Sequence, residues 1–131
     1  MAWNVETPHE QIAFLMEAGL IYRDAKRFRE AEEVFAAVRA LAPKSEVGEV
    51  ALGTVRFAEG KLQQAIRHYR IALKLNERSA FAHAHLGEAY AFANDAASAR
   101  RHIEAAIRLE PKGASSEHAR SVAAYLEKVK A

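Results

Sequence analysis

The sequence predicts an all-α fold: a right-handed α-solenoid of three helix-turn-helix repeats followed by a C-terminal capping helix. Apolar residues recur at spacings of three and four along most of the chain, which is the period of an amphipathic helix. Three columns of similar residues also recur every 34 positions: Gly19, Gly53, Gly87; Ala31, Ala65, Ala99; Phe35, Tyr69, Ile103. A fixed period of this size indicates an array of helix pairs, each of which buries its apolar face against its neighbours.

The first helix has a strong start signal in the segment Thr7-Pro8-His9-Glu10. Thr7 is a suitable cap, Pro8 fits the first helical position, and Glu10 can complete a capping box. The apolar pattern that follows predicts a helix to about Asp24.

Caps, turns and prolines divide the rest of the chain. Pro43 and Pro111 are expected to end the second helices of the first and third repeats. Ser45 and Ser79 are suitable caps for the next two repeats, and Gly60 permits a tight turn within the second. The expected units are repeats at about residues 12–45, 46–79 and 80–113 and a capping helix at about residues 116–130.

Composition sets limits on the class of protein. The 131 residues suit one domain, half of them are hydrophobic, and the net charge is only +2. The absence of cysteine excludes disulfides and thiolate metal sites. The start of the chain has no signal-peptide pattern, and the longest apolar-dominated stretch, Ile12 to Tyr22, is far shorter than the roughly 20 residues that span a bilayer. We therefore expect a cytoplasmic protein that does not insert into membranes.

The repeated columns resemble the tetratricopeptide repeat (TPR) family between about residues 12 and 113. The matching residues are Ala18-Gly19, Tyr22, Ala31, Phe35 and Pro43; Leu52-Gly53, Ala65, Tyr69 and Ala72; Leu86-Gly87, Tyr90, Ala99, Ala106 and Pro111. The resemblance implies that the glycines let two helix backbones approach closely opposite the alanine column. Arg56 stands where the family usually has an aromatic residue, and Glu49, one heptad earlier, is its expected partner.

The resemblance also places a peptide-binding groove on the first helix of each repeat. The candidate groove residues are Met16, Leu20, Val47, Val50, Thr54, Phe57, Phe81, Ala84 and Glu88. They are mostly apolar, which favours an extended apolar segment of a client protein, and the alternative is that they only pack between helices. Many family members bind a C-terminal carboxylate with a lysine and asparagine clamp. That clamp is not expected here, because its positions hold Met16, Leu20, Ala51, Phe81 and His85.

The predicted function is a protein-protein interaction module, most simply a chaperone. In its organisation the chain resembles the small class II translocator chaperones of bacterial type III secretion. The alternative is a structural adaptor that assembles a larger complex through repeat edges or self-association. The first helix is apolar nearly all round, so a homodimer or partner contact through Phe14 and Ile21 is expected, unless Trp3 and Val5 fold over this face.

The sequence predicts no enzyme, no cofactor and no metal site. It lacks a phosphate loop, a nucleophile elbow and a metalloprotease motif. His83 and His85 are two positions apart, which on a helix points them in different directions. The basic cluster around Arg23 and Arg27 is interpreted as ordinary surface charge, with an acidic partner as the alternative, and no nucleic acid is expected because no aromatic platform accompanies it.

Overall fold

The computed structural model describes residues 7–130, which form seven α-helices and no strand. In chain order they are α1 (Pro8–Asp24), α2 (Phe28–Leu41), α3 (Val47–Ala58), α4 (Leu62–Leu75), α5 (Ala80–Phe92), α6 (Ala96–Leu109) and α7 (Ala114–Lys130). The predicted all-α solenoid is confirmed. Among these helices none is both long enough and apolar enough to cross a bilayer.

The helices form two layers. Neighbours in sequence pack against each other throughout, as expected for a stack of helix pairs. The first helices of the pairs also touch one another in series, α1 with α3 and α3 with α5, and α7 continues the series by contacting α5. The C-terminal helix therefore occupies the place of the first helix of a fourth pair, and it extends the inner layer as well as covering α6.

Side-chain caps begin three of the helices. The capping box of α1 is formed as predicted, with Glu10 donating its backbone N–H to Thr7 Oγ1 over 3.0 Å. Ser79 and Asp95 cap α5 and α6 by accepting the N–H of the third residue that follows each. These bonds satisfy donors that the first helical turn leaves without partners.

Two rings occupy the space left by the glycine column. A methyl group added at Gly19 would lie 2.2 Å from Phe35 Cε1, and one at Gly53 would lie 2.3 Å from Tyr69 Cε1. Both rings are fully buried. The expectation that these glycines serve a close approach of two backbones is therefore wrong for the first two repeats, where they make room for a ring. A methyl group at Gly87 would lie 3.1 Å from Ile103 Cγ1 and 3.3 and 3.4 Å from backbone atoms of Ala99 and Ile103, so the expected close approach of backbones holds in the third repeat.

Arg56 joins two helix pairs. Its guanidinium lies 2.6 Å from Glu32 on α2 and 2.8 Å from Glu59 at the end of α3. The expected partner, Glu49, instead contacts His68 Nδ1 at 2.9 Å and the guanidinium of Arg39. The expectation of an Arg56–Glu49 contact was wrong because it considered a single helix, whereas Arg56 reaches across to the preceding repeat.

The turn inside each repeat contains one left-handed residue, again at the period of 34: Lys26 (φ 61°), Gly60 (φ 80°) and Asn94 (φ 63°). This conformation costs an ordinary side chain about 1–2 kcal/mol, and glycine and asparagine adopt it more readily.

Lys26→Gly is therefore expected to raise the free energy of unfolding by about 0.5–1 kcal/mol, after allowing for the more flexible unfolded chain. Thermal unfolding should show a smaller gain for the matched variant Asn94→Gly. A loss of stability in Lys26→Gly would contradict the assignment of strain to this turn.

Candidate binding groove

Three adjoining cavities run along the inner layer. The first, of about 310 Å³, lies among α1, α3 and α5, and is lined by Met16, Leu20, Arg23, Phe35, Ala51, Thr54, Phe81 and His85. The second, of about 300 Å³, is lined by Arg23, Thr54, Phe57, Ala58, Tyr69, His85, Glu88 and His118. The third, of about 160 Å³, is lined by Glu88, Phe92, His118, Ser121, Val122 and Tyr125. Consecutive cavities share wall residues, so they lie in a row from α1 to α7, and this row is called the inner groove.

The end of the inner groove near α7 is aromatic. Phe57 and Phe92 meet edge to face with ring centroids 5.4 Å apart, and Phe92 stacks on Tyr125 at 5.0 Å. Phe92 and Tyr125 are both exposed despite this contact. Aromatic side chains that remain accessible in a concave surface supply large apolar contact area for a partner.

The centre of the inner groove is polar. His118 Nε2 lies 3.2 Å from one carboxylate oxygen of Glu88, and His85 Nδ1 lies 3.9 Å from the other. The rings of His85 and His118 meet with their centroids 4.5 Å apart. Burial, with smaller contributions from the positive charge of His118 and Arg23, lowers the pKa of His85 to about 3. His85 is therefore neutral at physiological pH, and its buried Nδ1 has no hydrogen-bond partner among residues 7–130.

The comparisons with known proteins agree with this geometry. A family model described as a TPR repeat matches residues 53–91. The type III secretion translocator chaperone SycD from Yersinia enterocolitica superposes with a TM-score of 0.75 at 19% identity, covering 98% of this chain and 96% of that one.

The fold of this chain is that of a tetratricopeptide-repeat protein.

Two further solved structures share this TPR fold. PcrH from Pseudomonas aeruginosa matches with a TM-score of 0.72 at 22% identity, over 92% of each chain. The second TPR domain of human RPAP3, solved in complex with the HSP70 peptide SGPTIEEVD, matches with a TM-score of 0.70 at 18% identity, over 92% of this chain and 98% of that one. The predicted resemblance to TPR proteins, including a type III secretion chaperone, is confirmed for the fold. No curated protein sequence matches the chain.

The TPR fold brings most of the candidate groove residues together. The candidates that line the inner groove are Met16, Leu20, Thr54, Phe57, Phe81 and Glu88. Val50 and Ala84 are fully buried and belong to the core, so their placement in the groove is corrected. Both lie on the side of their helix that packs against its neighbours. Val47 is partly buried and lines none of the three cavities.

Several groove residues were missed by the sequence reasoning. His118, Val122 and Tyr125 lie on one face of α7, at positions i, i+4 and i+7. This spacing could have been used to predict that one face of α7 lines the groove. It was overlooked because α7 was interpreted only as a cap. The wall of the inner groove is mostly apolar, as predicted, and Glu88 with two histidines forms a polar centre between its two apolar ends.

A separate open cavity of about 850 Å³ lies between α4 and α6. Its wall is rich in basic side chains and consists of Arg70, Leu73, Lys74, Leu75, Asn76, Glu77, Arg78, Leu86, Tyr90, Arg101 and His102.

His102 in this wall contacts His83. His83 Nε2 lies 3.0 Å from the carbonyl of Glu77, and the Nδ1 atoms of His83 and His102 are 2.9 Å apart. The first contact requires His83 to donate from Nε2, and in a neutral imidazole this leaves Nδ1 to accept from His102. Burial, followed by the charges of His83, Arg101 and Arg70, lowers the pKa of His102 to about 4.

Proposed function

We propose that this TPR domain is a chaperone that binds an extended apolar segment of a client protein in the inner groove. The observation on which this rests is the row of three adjoining cavities from α1 to α7, with apolar side chains at both ends. Burying about four apolar side chains supplies roughly 6–12 kcal/mol, against an association cost of about 4–15 kcal/mol. Binding in the micromolar range therefore also needs hydrogen bonds, which the polar centre of the groove can supply.

The first cavity favours an internal segment of the client over a free C-terminus. All five positions that form the carboxylate clamp in other family members line this cavity, and here they hold Met16, Leu20, Ala51, Phe81 and His85. The cation in its wall, Arg23, already pairs with Asp24 at 3.1 Å. An apolar side chain of the client matches this wall better than a carboxylate does.

Type III secretion is the pathway we propose for the client. The likeness to SycD supports this proposal, because it spans 98% of this chain and 96% of that one and so is not limited to a single repeat. The client would then be a translocator protein that is held unassembled in the cytoplasm until export. The competing proposal is an adaptor that assembles a larger complex through repeat edges or self-association.

Binding of tiled client peptides tests this function. Peptides of about 10–15 residues, which span about 3.3–3.6 Å per residue when extended, would be taken from the products of neighbouring genes. Each would be synthesised as free acid and as amide, and binding would be followed by fluorescence anisotropy. We expect apolar peptides to bind equally in both forms, and the HSP90 peptide SRMEEVD, which is bound by the first TPR of Spaghetti (RPAP3), not to bind. Loss of binding on amidation would overturn the proposal of an internal segment.

Self-association through the outer face of α1 is a second proposal. Ile21 is 65% exposed and Phe14 is 48% exposed, while Trp3 and Val5, the alternative cover, lie outside the described residues.

Ile21→Glu is expected to shift a dimer to monomer in sedimentation velocity, because a charge would enter an apolar contact. Val129→Glu, at a site that is 60% exposed on α7, is the matched control and should leave the dimer intact. A monomeric parent protein would refute this proposal.

A further inference from the structure

We propose that His85, Glu88 and His118 bind a divalent transition-metal ion such as Zn²⁺ in the wall of the inner groove. Two imidazoles and one carboxylate are a donor set that proteins use for zinc and for other first-row metals. The proposal goes beyond client binding, since an ion can be held whether or not a client is present.

The fold builds this cluster from two helices. His85 and Glu88 are one turn apart on α5, so they lie on the same face. His118 comes from α7, which packs directly against α5. The side chains of His85, Glu88 and His118 are all partly buried, with exposures of 17%, 24% and 26%. A ligand set on two packed helices is held more precisely than one on loops.

The distances suit an ion after small side-chain movements. One ligand atom from each residue can be chosen so that all three lie within 4.8 Å of one another. Metal bonds of about 2.1 Å in a tetrahedron place ligand atoms about 3.4 Å apart. The contact between His118 and Glu88, at 3.2 Å, already has this separation. The widest separation must close by at most about 1.4 Å, which requires small rotations of these three side chains.

An unsatisfied nitrogen points to the same site independently. His85 Nδ1 is buried and has no hydrogen-bond partner within the described part of the chain. A buried polar atom without a partner destabilises the fold, and its presence in a native structure calls for an explanation such as an ion. A metal bond at Nδ1 would satisfy this atom and leave the ring proton on Nε2.

The ion would have a vacant coordination position facing the second cavity. Three protein ligands are the pattern of open zinc sites, in which a water molecule or an added ligand completes the coordination. Because the second cavity is the centre of the inner groove, that fourth ligand could come from a client. The ion would also tie α7 to α5, so zinc should stabilise the free protein.

Zinc titration of the whole protein tests the site. Calorimetry without chelators is expected to show one Zn²⁺ per chain with a Kd in the micromolar range or tighter, and zinc should raise the melting temperature. His118→Gln and Glu88→Gln should each weaken binding at least tenfold, with helicity checked by circular dichroism. His83→Gln, in the other histidine pair, is the matched control and should bind zinc like the parent.

Three results would overturn the proposal. The first is no zinc binding by the parent protein up to about 1 mM, which corresponds to only about 4.1 kcal/mol of binding free energy. The second is equal binding by the parent and both site variants. The third is loss of binding in His83→Gln alone, which would place the ion at the cavity between α4 and α6. None of these results depends on a client, so they can refute the proposed metal site without refuting the proposal of client binding.

Discussion

Gly53→Ala is expected to lower the free energy of unfolding by about 1–3 kcal/mol, the usual cost of overpacking a well-filled core. The new methyl group would lie 2.3 Å from Cε1 of Tyr69, which is far inside contact distance. Tyr69 cannot move aside freely because its ring is fully buried in the core shared by the second and third repeats. The strain therefore has to be taken up by a shift of α3 against α4.

Gly87→Ala is the matched control for this effect, at the same position of the next repeat. Its methyl group would meet Ile103 Cγ1 at 3.1 Å and backbone atoms of Ala99 and Ile103 at 3.3 and 3.4 Å, contacts that a shift of a few tenths of an ångström relieves. Alanine also gains up to about 1 kcal/mol in helix propensity over glycine. We expect the stability of this variant to change by less than about 1 kcal/mol. Urea unfolding followed by circular dichroism would compare the two, and equal losses would show that the ring contact is not what requires glycine at position 53.

Leu20→Glu is expected to weaken binding of an apolar client peptide by about 10- to 100-fold. Leu20 is 37% exposed in the wall of the first cavity. Burying such a side chain against a partner is worth about 1.5–3 kcal/mol, and each 1.4 kcal/mol corresponds to about a factor of ten in Kd. A glutamate at this position would also place a charge in an apolar contact.

Ile71→Glu provides the control for this loss of affinity. Ile71 is 45% exposed on α4 and lines none of the inner-groove cavities, so the substitution changes the charge and exposed apolar surface in the same way. Fluorescence anisotropy with the peptide selected by tiling should give the parent affinity for this variant. An equal loss in both variants would indicate a general charge effect, and an unchanged affinity in Leu20→Glu would exclude the first cavity from the contact.

The helices were predictable because their signals are local. The capping box at Thr7, the caps at Ser79 and Asp95 and the apolar spacing each act within a turn or two of helix. The 34-residue period then predicted the order of packing, since similar units stack in a similar way. The role of the glycine column was harder to predict from the sequence, because the contact of Gly53 with Tyr69 depends on the distance and rotation between two helices.

The groove was only partly predictable for the same reason. Val50 and Ala84 lie on helices that contribute to the groove, but the rotation of those helices buries these two side chains in the core. The cluster of Glu88 with two histidines was missed because it joins α5 to α7. The prediction from the sequence considered His85 only together with His83 on the same helix. Contacts between non-consecutive helices depend on the angle between successive repeats, which the apolar pattern does not contain.

The most direct measurement of the central claim is the location of a bound client peptide. A spin label attached to the peptide broadens the NMR signals of protein groups near it. Binding in the inner groove predicts that broadening concentrates on Leu20, Thr54 and His118, at successive points along the groove. Broadening confined to α4 and α6, with the groove signals unchanged, would contradict the account.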